Sequence, residues 1–354
     1  FPSLPTEPAK HIKLTIKSSL NGQSQQPSSV LTIYGQRLNL LIGSGASMPA
    51  IKLMKDFENT EDGNAKLLKN IVGVSRALIS QCSRKRSEEV NRTLANYTKV
   101  LSSFIEILLA SNSRVKPRVL NIFSTNYDLF IEKTVDEMMN SGLEFIFNDG
   151  ANGYFSRKLD SHNFDNSVSY RGQFENHTDE IPTLKLIKPH GSVNWKRCRD
   201  DQLYIYPSVQ DDPFVVLPDG SEARQTFESN HFFDMLRTFQ LELAKSDSVL
   251  ITIGFSFGDQ HIAKLVKRAL NSPDFMAFIV CYNHDDLVKI ENSLIGQRTR
   301  PSNLFFVEPG NLNLSSDLDT KDSDKHMNQL AEITMKEFSD LIAELSRGVN
   351  IIDD

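Results

Sequence analysis

Short apolar runs alternate with longer amphipathic segments along most of the chain. The runs are the length of strands buried on both faces of a sheet, and they lie at 38–42, 119–123, 184–187, 248–253, 276–281 and 304–307. A helix-like segment follows most of these runs. Strands that alternate with helices in this way predict an α/β fold with a doubly wound, mainly parallel sheet covered by helices on both faces.

Several segments between the runs have the 3.6-residue period of an amphipathic helix. One apolar stripe recurs at i, i+3, i+4, i+7 and i+8, and it consists of Leu101, Phe104, Ile105, Leu108 and Leu109. Helices are predicted over most of 64–112 and at about 129–139, 226–244, 259–270 and 326–347. The stripes at 94–110, 226–244 and 326–347 exceed the needs of one sheet face, and they fit packing within the chain or between subunits.

The pattern divides the chain into three parts. Residues 1–30 form an N-terminal arm with one possible strand at 12–16. Residues 31–310 form the main domain, with a helical insertion at about 60–115 and an irregular insertion at about 148–180, where Asn, Asp, Ser, Gly and His replace periodic residues. Residues 311–354 are expected to be a mobile polar segment followed by a C-terminal helix.

Composition excludes several classes of function. The net charge of −6 and the pI near 5.8 give no general attraction to nucleic acid or to anionic membranes. No apolar run approaches the roughly 20 residues that span a bilayer. The three cysteines, Cys82, Cys198 and Cys281, are too few for a four-cysteine zinc site, so we expect no metal and a reducing, cytoplasmic setting.

Small or polar residues follow the apolar runs, at the point where each strand is expected to end. They include the turn Gly43–Ser47, the segment 124–128, His190 with Gly191, the turn Gly254–Ser256, and Asn283. Ligands bind beyond the carboxyl ends of the strands in doubly wound sheets of the Rossmann-like type. We therefore expect these residues to converge at one edge of the sheet.

The residue types at these strand ends suit a nucleotide. Glycines let the backbone approach a diphosphate, although Met48 stands where the third glycine of G-x-G-x-x-G would be, which makes an ordinary dehydrogenase a poor fit. Asn126 can donate to and accept from ribose hydroxyls or water. His190 suits a general base near neutral pH, whereas Asp128 could serve as a helix cap or as a charge in the site.

Taken in order, these segments resemble the sirtuins. Residues 43–47 resemble the sirtuin G-A-G-x-S loop, and residues 124–128 resemble T-Q-N-x-D, with Thr125 in the glutamine position. Pro189-His190-Gly191 resembles the catalytic histidine-glycine pair. Gly254-Phe255-Ser256 resembles the G-T-S turn, and Asn283 resembles the asparagine that contacts the adenosine ribose. The resemblance covers roughly residues 38–308.

The chain also departs from the protein-deacylating sirtuins. It lacks the two cysteine pairs of their zinc module, and residues 48–51 replace a G-I-P-D-F-R-like stretch. The resemblance is closer to the NAD-hydrolysing sirtuin-like domains of bacterial anti-phage defence, most of all to the kind paired with a HerA-type hexameric ATPase. It implies a homo-oligomeric NAD⁺ hydrolase that depletes NAD, with a non-catalytic NAD or ADP-ribose sensor and a protein deacylase as alternatives.

The resemblance assigns roles to individual residues. The catalytic candidates are His190, Asn126 and Asp128. The candidates for binding NAD as substrate are Gly43, Ser44, Gly45, Ala46, Ser47, Thr125, Gly254, Ser256 and Asn283.

Overall fold

A computed structural model describes most of the chain outside the arm and the polar segment near the C-terminus. The described residues are 15–16, 29–30, 35–57, 62–80, 86–111, 116–171, 178–198, 202–217, 230–309 and 331–350. Thr15–Ile16 and Ser29–Val30 form an antiparallel pair. The remaining predictions for the arm, and the predicted mobile segment at 311–325, lie outside the described residues.

A seven-stranded sheet forms the centre of the protein. Its strands are β1 (Arg37–Ile42), β2 (Val119–Ser124), β3 (Ile146–Asn148), β4 (Thr183–Ile187), β5 (Ser248–Ile253), β6 (Phe275–Val280) and β7 (Leu304–Val307). The spatial order is β7-β6-β5-β1-β2-β4-β3, and every neighbouring pair is parallel. The predicted doubly wound, Rossmann-like α/β sheet is therefore confirmed.

Seven helices surround this sheet in the described ranges. They are α1 (Gly63–Ile79), α2 (Glu88–Ala110), α3 (Phe130–Asn140), α4 (Asn230–Leu243), α5 (Gln260–Ala269), α6 (His284–Leu294) and α7 (Met335–Asn350). Three begin at side chains that cap free backbone N–H groups, namely Ser87 for α2, Asp259 for α5 and Asn283 for α6. None of the helices in these ranges is long and apolar enough to cross a membrane.

Alternate residues of the strands point into two separate apolar layers. Leu40 and Ile122 pack in one layer with α1, α2, α3 and α7. Leu41 and Phe123 pack in the other with α4, α5 and α6. Because both faces are covered, a strand such as β5 is buried along its whole length, which explains its unbroken apolar sequence.

The structure differs from the sequence prediction at one edge of the sheet and in the irregular insertion. The edge strand β3 was not predicted, because three half-buried residues carry no readable period. The insertion predicted to be irregular contains a 3₁₀ turn at Ser161–Asp165 and short antiparallel strands. Ala151–Asn152 pairs with Arg157–Leu159, and Ser169–Arg171 pairs with Thr178–Glu180. Arg157–Leu159 also pairs with Leu203–Ile205, and that strand pairs in turn with Trp195–Arg197.

The C-terminal helix is part of the main core. Helix α7 packs along α2, and Phe338 of α7 and Phe104 of α2 are fully buried in the same cluster. The sequence pattern placed this helix in a separate C-terminal segment. Its apolar stripe, and the facing stripe of α2, are instead used for packing within the chain.

This packing predicts that Phe338→Ala destabilises the protein by about 3–5 kcal/mol, because the truncation leaves a cavity in a closed core. Chemical denaturation followed by circular dichroism measures the change. Lys336→Ala, on the exposed side of the same helix, serves as the control and should change stability by less than about 0.5 kcal/mol. Equal, small effects of both substitutions would show that α7 is not needed for the core.

Candidate active site

A cavity of about 540 Å³ lies at the carboxyl edge of the sheet. It is lined by the segments that follow β1, β2, β4 and β5. Of the predicted site residues, the structure brings together eight in its lining, which are Ser44, Ser47, Thr125, Asn126, Asp128, His190, Gly254 and Ser256. Gly43, Gly45, Ala46 and Asn283 do not line it.

The two glycine turns beside the cavity touch each other through their backbones. Gly43 N–H donates to Ile253 O (3.0 Å), and Gly45 N–H donates to Gly254 O (2.9 Å). A Cβ on Gly43 would lie 2.4 Å from Gly254 O, and Gly254 itself has a φ of +65°. These glycines therefore serve the contact between the turns. The segment after β1 forms a 3₁₀ turn over Ser44–Ser47.

Asn283 follows β6 and begins the next helix. Its Oδ1 accepts a hydrogen bond from Asp286 N (2.9 Å), which caps α6. The sequence position after a parallel strand is as predicted, but the side chain is engaged in the cap.

The side-chain amide of Asn126 is held through its nitrogen, and its carbonyl oxygen is left without a hydrogen-bond partner among the described residues. Its Nδ2 donates to Gly43 O (3.0 Å) and to Ser47 Oγ (3.2 Å), so both N–H groups are used. Rotating the amide by 180° would place its oxygen against the Gly43 carbonyl, which is repulsive. Oδ1 is buried and has no hydrogen-bond partner in the described part of the chain. Asn126 lines the cavity, so its side chain brings one unused hydrogen-bond acceptor to this site.

Ser47 connects Asn126 to Asp128 and Tyr97. Ser47 Oγ donates its single proton to Asp128 Oδ2 (2.8 Å), so the contact with Tyr97 OH (3.0 Å) has the tyrosine as donor. Burial, followed by the charge of Asp128, raises the pKa of Tyr97 well above its ordinary value, which keeps that proton in place. The other carboxylate oxygen of Asp128 accepts from Phe130 N (3.1 Å), and both oxygens are thereby engaged by the protein.

A buried lysine ties the ends of β2 and β4 together. Lys188 is 1% exposed, and its Nζ contacts Asp128 O (2.5 Å), Glu132 Oε1 (2.6 Å) and Ser192 Oγ (3.1 Å). Burial raises the pKa of Asp128 and of Glu132, and the positive charge of Lys188 opposes both increases. Lys188 thus sets the position and the charge of the segment that carries Asn126 and Asp128.

His190 forms a close pair with Asp259. The distance from His190 Nε2 to Asp259 Oδ2 is 3.0 Å, and the side chains are 13% and 16% exposed. The His190 carbonyl accepts from Val216 N (2.9 Å), which fixes the backbone of the loop after β4. The pair lies in the cavity lining together with Asn126.

The lining on the side of the helical insertion is mainly apolar, with Lys52 as its charged residue. This wall consists of Ile51, Met54, Leu67 and Ile71, with Val216 and Phe255 from other loops. An apolar wall beside a few fixed polar atoms is typical of a small-molecule site. The described residues contain no group of three or more His, Cys, Asp or Glu side chains that could hold a metal ion.

Three polar residues of the site were missed by sequence analysis. Lys188 reads as an ordinary residue at the end of a strand, Tyr97 reads as one member of an apolar helix stripe, and Asp259 reads as a helix cap. Asp259 carried the best available signal, because it begins a predicted helix and closely follows the Gly254 turn.

A comparison with protein-family models agrees with this geometry. Residues 120–295 match the model of the SIR2-like domain. This segment of the chain is therefore similar to SIR2-like domains. The match runs from β2 to the end of α6 and so includes Asn126, Asp128 and His190, but it leaves out the glycine turn after β1. SIR2-like domains bind NAD, and the family includes NAD-dependent enzymes. No curated protein matches the chain.

The contact between the glycine turns predicts that Gly43→Ala destabilises the protein by about 1–3 kcal/mol, because the new methyl overlaps backbone atoms that cannot move aside freely. Thermal and chemical denaturation measure the effect. Gly73→Ala is the matched control, since a Cβ at this position in α1 meets no atom within 4 Å. It should stabilise the helix by about 0.5–1 kcal/mol. A neutral Gly43→Ala would contradict the close contact.

Lys188→Met should destabilise the protein by about 3–5 kcal/mol near pH 7, because the substitution leaves the buried Asp128 and the partly buried Glu132 without their counter-charge. The raised pKa of Asp128 and of Glu132 would rise further, and the cost of ionising them grows as the pH increases above about 4. The loss should therefore be larger at pH 7 than at pH 5.

Denaturation at the two pH values tests this, with Lys196→Met at an exposed position as the control. A loss that is independent of pH would indicate a packing role for Lys188 without an electrostatic one.

Proposed function

We propose that this protein is an NAD⁺ glycohydrolase, which cleaves the bond between nicotinamide and ribose to give nicotinamide and ADP-ribose. The observation that carries the proposal is the buried, unpartnered Oδ1 of Asn126 in the same cavity as the His190–Asp259 pair. The cavity volume of about 540 Å³ lies within the range of small-molecule sites.

The chemistry of the substrate makes modest demands on the protein. Nicotinamide leaves as a neutral pyridine, so the leaving group needs no strong acid. The ribose gains oxocarbenium character at C1′, as in glycoside hydrolysis. The protein must hold the ribose, place a water near C1′ and accept one proton.

Asn126 and His190 are the proposed catalytic residues. Asn126 Oδ1 accepts a hydrogen bond from a ribose hydroxyl or from the attacking water, because it is the acceptor left over in the cavity. His190 accepts the proton released when the water oxygen bonds to C1′, and then passes it to solvent. One NAD⁺ and one water thus give nicotinamide, ADP-ribose and one proton.

The other predicted residues have binding or positioning roles in this proposal. Asp128 acts through Ser47, since both of its oxygens are engaged by the protein, and the pair orients Asn126. Ser44, Ser47 and Thr125 would border the diphosphate, and Gly254 and Ser256 would lie toward the adenosine. Gly43, Gly45 and Ala46 would act only through the shape of the turn, and Asn283 is engaged in the cap of α6.

The biological setting is proposed from the resemblance to anti-phage effectors. In that setting the protein depletes NAD in the cytoplasm as a homo-oligomer, beside a HerA-type hexameric ATPase. The acidic charge of the chain favours a role without direct binding of nucleic acid. Turnover is therefore measured both with the protein alone and with an ATPase of this type.

The proposal predicts that purified protein releases nicotinamide from NAD⁺, and that His190→Ala and Asn126→Ala each lower kcat by about 10²-fold to 10⁴-fold. Chromatography of the products gives the rate. The controls are His162→Ala and Asn91→Ala, which change the same residue types at exposed positions outside the cavity, and these should keep full activity.

The alternatives give different results in the same experiments. Tight NAD binding with no turnover, with or without the ATPase, would replace the hydrolase with a sensor. NAD consumption that depends on an acylated peptide would indicate a deacylase. Full turnover in both His190→Ala and Asn126→Ala would rule out the assigned mechanism.

A further inference from the structure

We propose that Asp259 is a positioning residue that fixes the protonation and orientation of His190. The proposal rests on the hydrolase function above for its effect on rate, but the pair itself can be tested without turnover. Asp259 lies outside the sequence motifs that led to His190, and it comes from the far side of β1, at the start of α5.

The two carboxylate oxygens of Asp259 have separate partners. Oδ1 accepts from His261 N (2.8 Å) and Ile262 N (3.2 Å) and so caps α5. Oδ2 lies 3.0 Å from His190 Nε2. The cap fixes the carboxylate plane on the rigid end of a helix, and the second oxygen is thereby aimed at the histidine.

The electrostatics of Asp259 favour an ionised carboxylate. Burial alone raises the pKa of Asp259, but the hydrogen bond and charge of His190, together with the two backbone N–H groups, lower it on balance. An ionised carboxylate can only accept hydrogen bonds. His190 Nε2 must therefore carry a proton and donate it to Asp259.

This arrangement determines which nitrogen of His190 can serve as the general base. With the proton on Nε2, neutral His190 has its free lone pair on Nδ1, and Nδ1 is the general base. When Nδ1 accepts a proton from the attacking water, the imidazolium forms next to the Asp259 carboxylate, which stabilises its positive charge. Nδ1 then releases this proton to solvent, and Asp259 remains ionised throughout.

Capping of α5 does not by itself explain an aspartate here. Ser87 caps α2 and Asn283 caps α6 without a charge, and Asn caps a helix about as well as Asp does. Capping therefore does not require the negative charge of Asp259, and the contact with His190 explains that charge.

The decisive variant is Asp259→Asn, which keeps the size and the cap but removes the charge. We expect kcat to fall by about 10-fold to 100-fold, the range for outer partners of functional histidines, with KM and the melting temperature little changed. In a His190→Ala background, Asp259→Asn should cause no further loss.

Ser87→Ala provides the matched control for capping. It should lower stability by about 1 kcal/mol and leave kcat unchanged. An Asp259→Asn protein that keeps full kcat, or whose loss adds in full to that of His190→Ala, would overturn the positioning role.

A spectroscopic measurement separates this proposal from the proposed function. Nitrogen-15 NMR of the His190 ring reports which nitrogen carries the proton. The Nε2–H tautomer should dominate in the unaltered protein and lose its dominance in Asp259→Asn. If no NAD is hydrolysed while the tautomer behaves as expected, the hydrolase function fails and the pair stands. A dominant Nδ1–H tautomer in the unaltered protein would refute the pair, whatever the turnover.

Discussion

The backbone contact between the turns after β1 and β5 is the constraint on which the site depends. These strands are neighbours in the sheet, so their loops leave the same edge within a few ångströms of each other. Without side chains at Gly43 and Gly254, the loops can exchange backbone hydrogen bonds and close one side of the cavity. Ser47 then lies next to the end of β2, and Asp259 is directed toward the loop after β4.

Two hydrogen-bond networks follow from this arrangement, one around Asn126 and one around His190. In the first, Ser47 Oγ and the Gly43 carbonyl accept the two N–H groups of Asn126, and Oδ1 has no partner among the described residues. In the second, Asp259 Oδ2 lies 3.0 Å from His190 Nε2. Lys188 joins the two, because it binds the Asp128 carbonyl and precedes His190 by only two residues.

The sequence was sufficient to predict the structure where a residue pattern fits only one structural environment. Strand β5 was predicted to the residue because only burial on both faces explains six apolar or small residues in a row. The convergence of Asn126 and His190 followed from the parallel order of the strands. Lys188, Tyr97 and Asp259 could not be identified, because their patterns also fit a surface lysine, a core aromatic and a simple cap. Their roles depend on partners that are distant in sequence.

The helices outside the family match help to position the side chains of the site. Tyr97 projects from α2 to donate a hydrogen bond to Ser47, and α2 packs along the C-terminal helix α7. Helix α7 also contacts the 3₁₀ turn at Ser44–Ser47. The position of Ser47, and through it the orientation of the Asn126 amide, therefore depends on packing between two helices that the SIR2-like match does not include. The geometry of the site is a property of the larger assembly of strands and helices, and the matched segment alone would lack both Ser47 and the tyrosine that holds it.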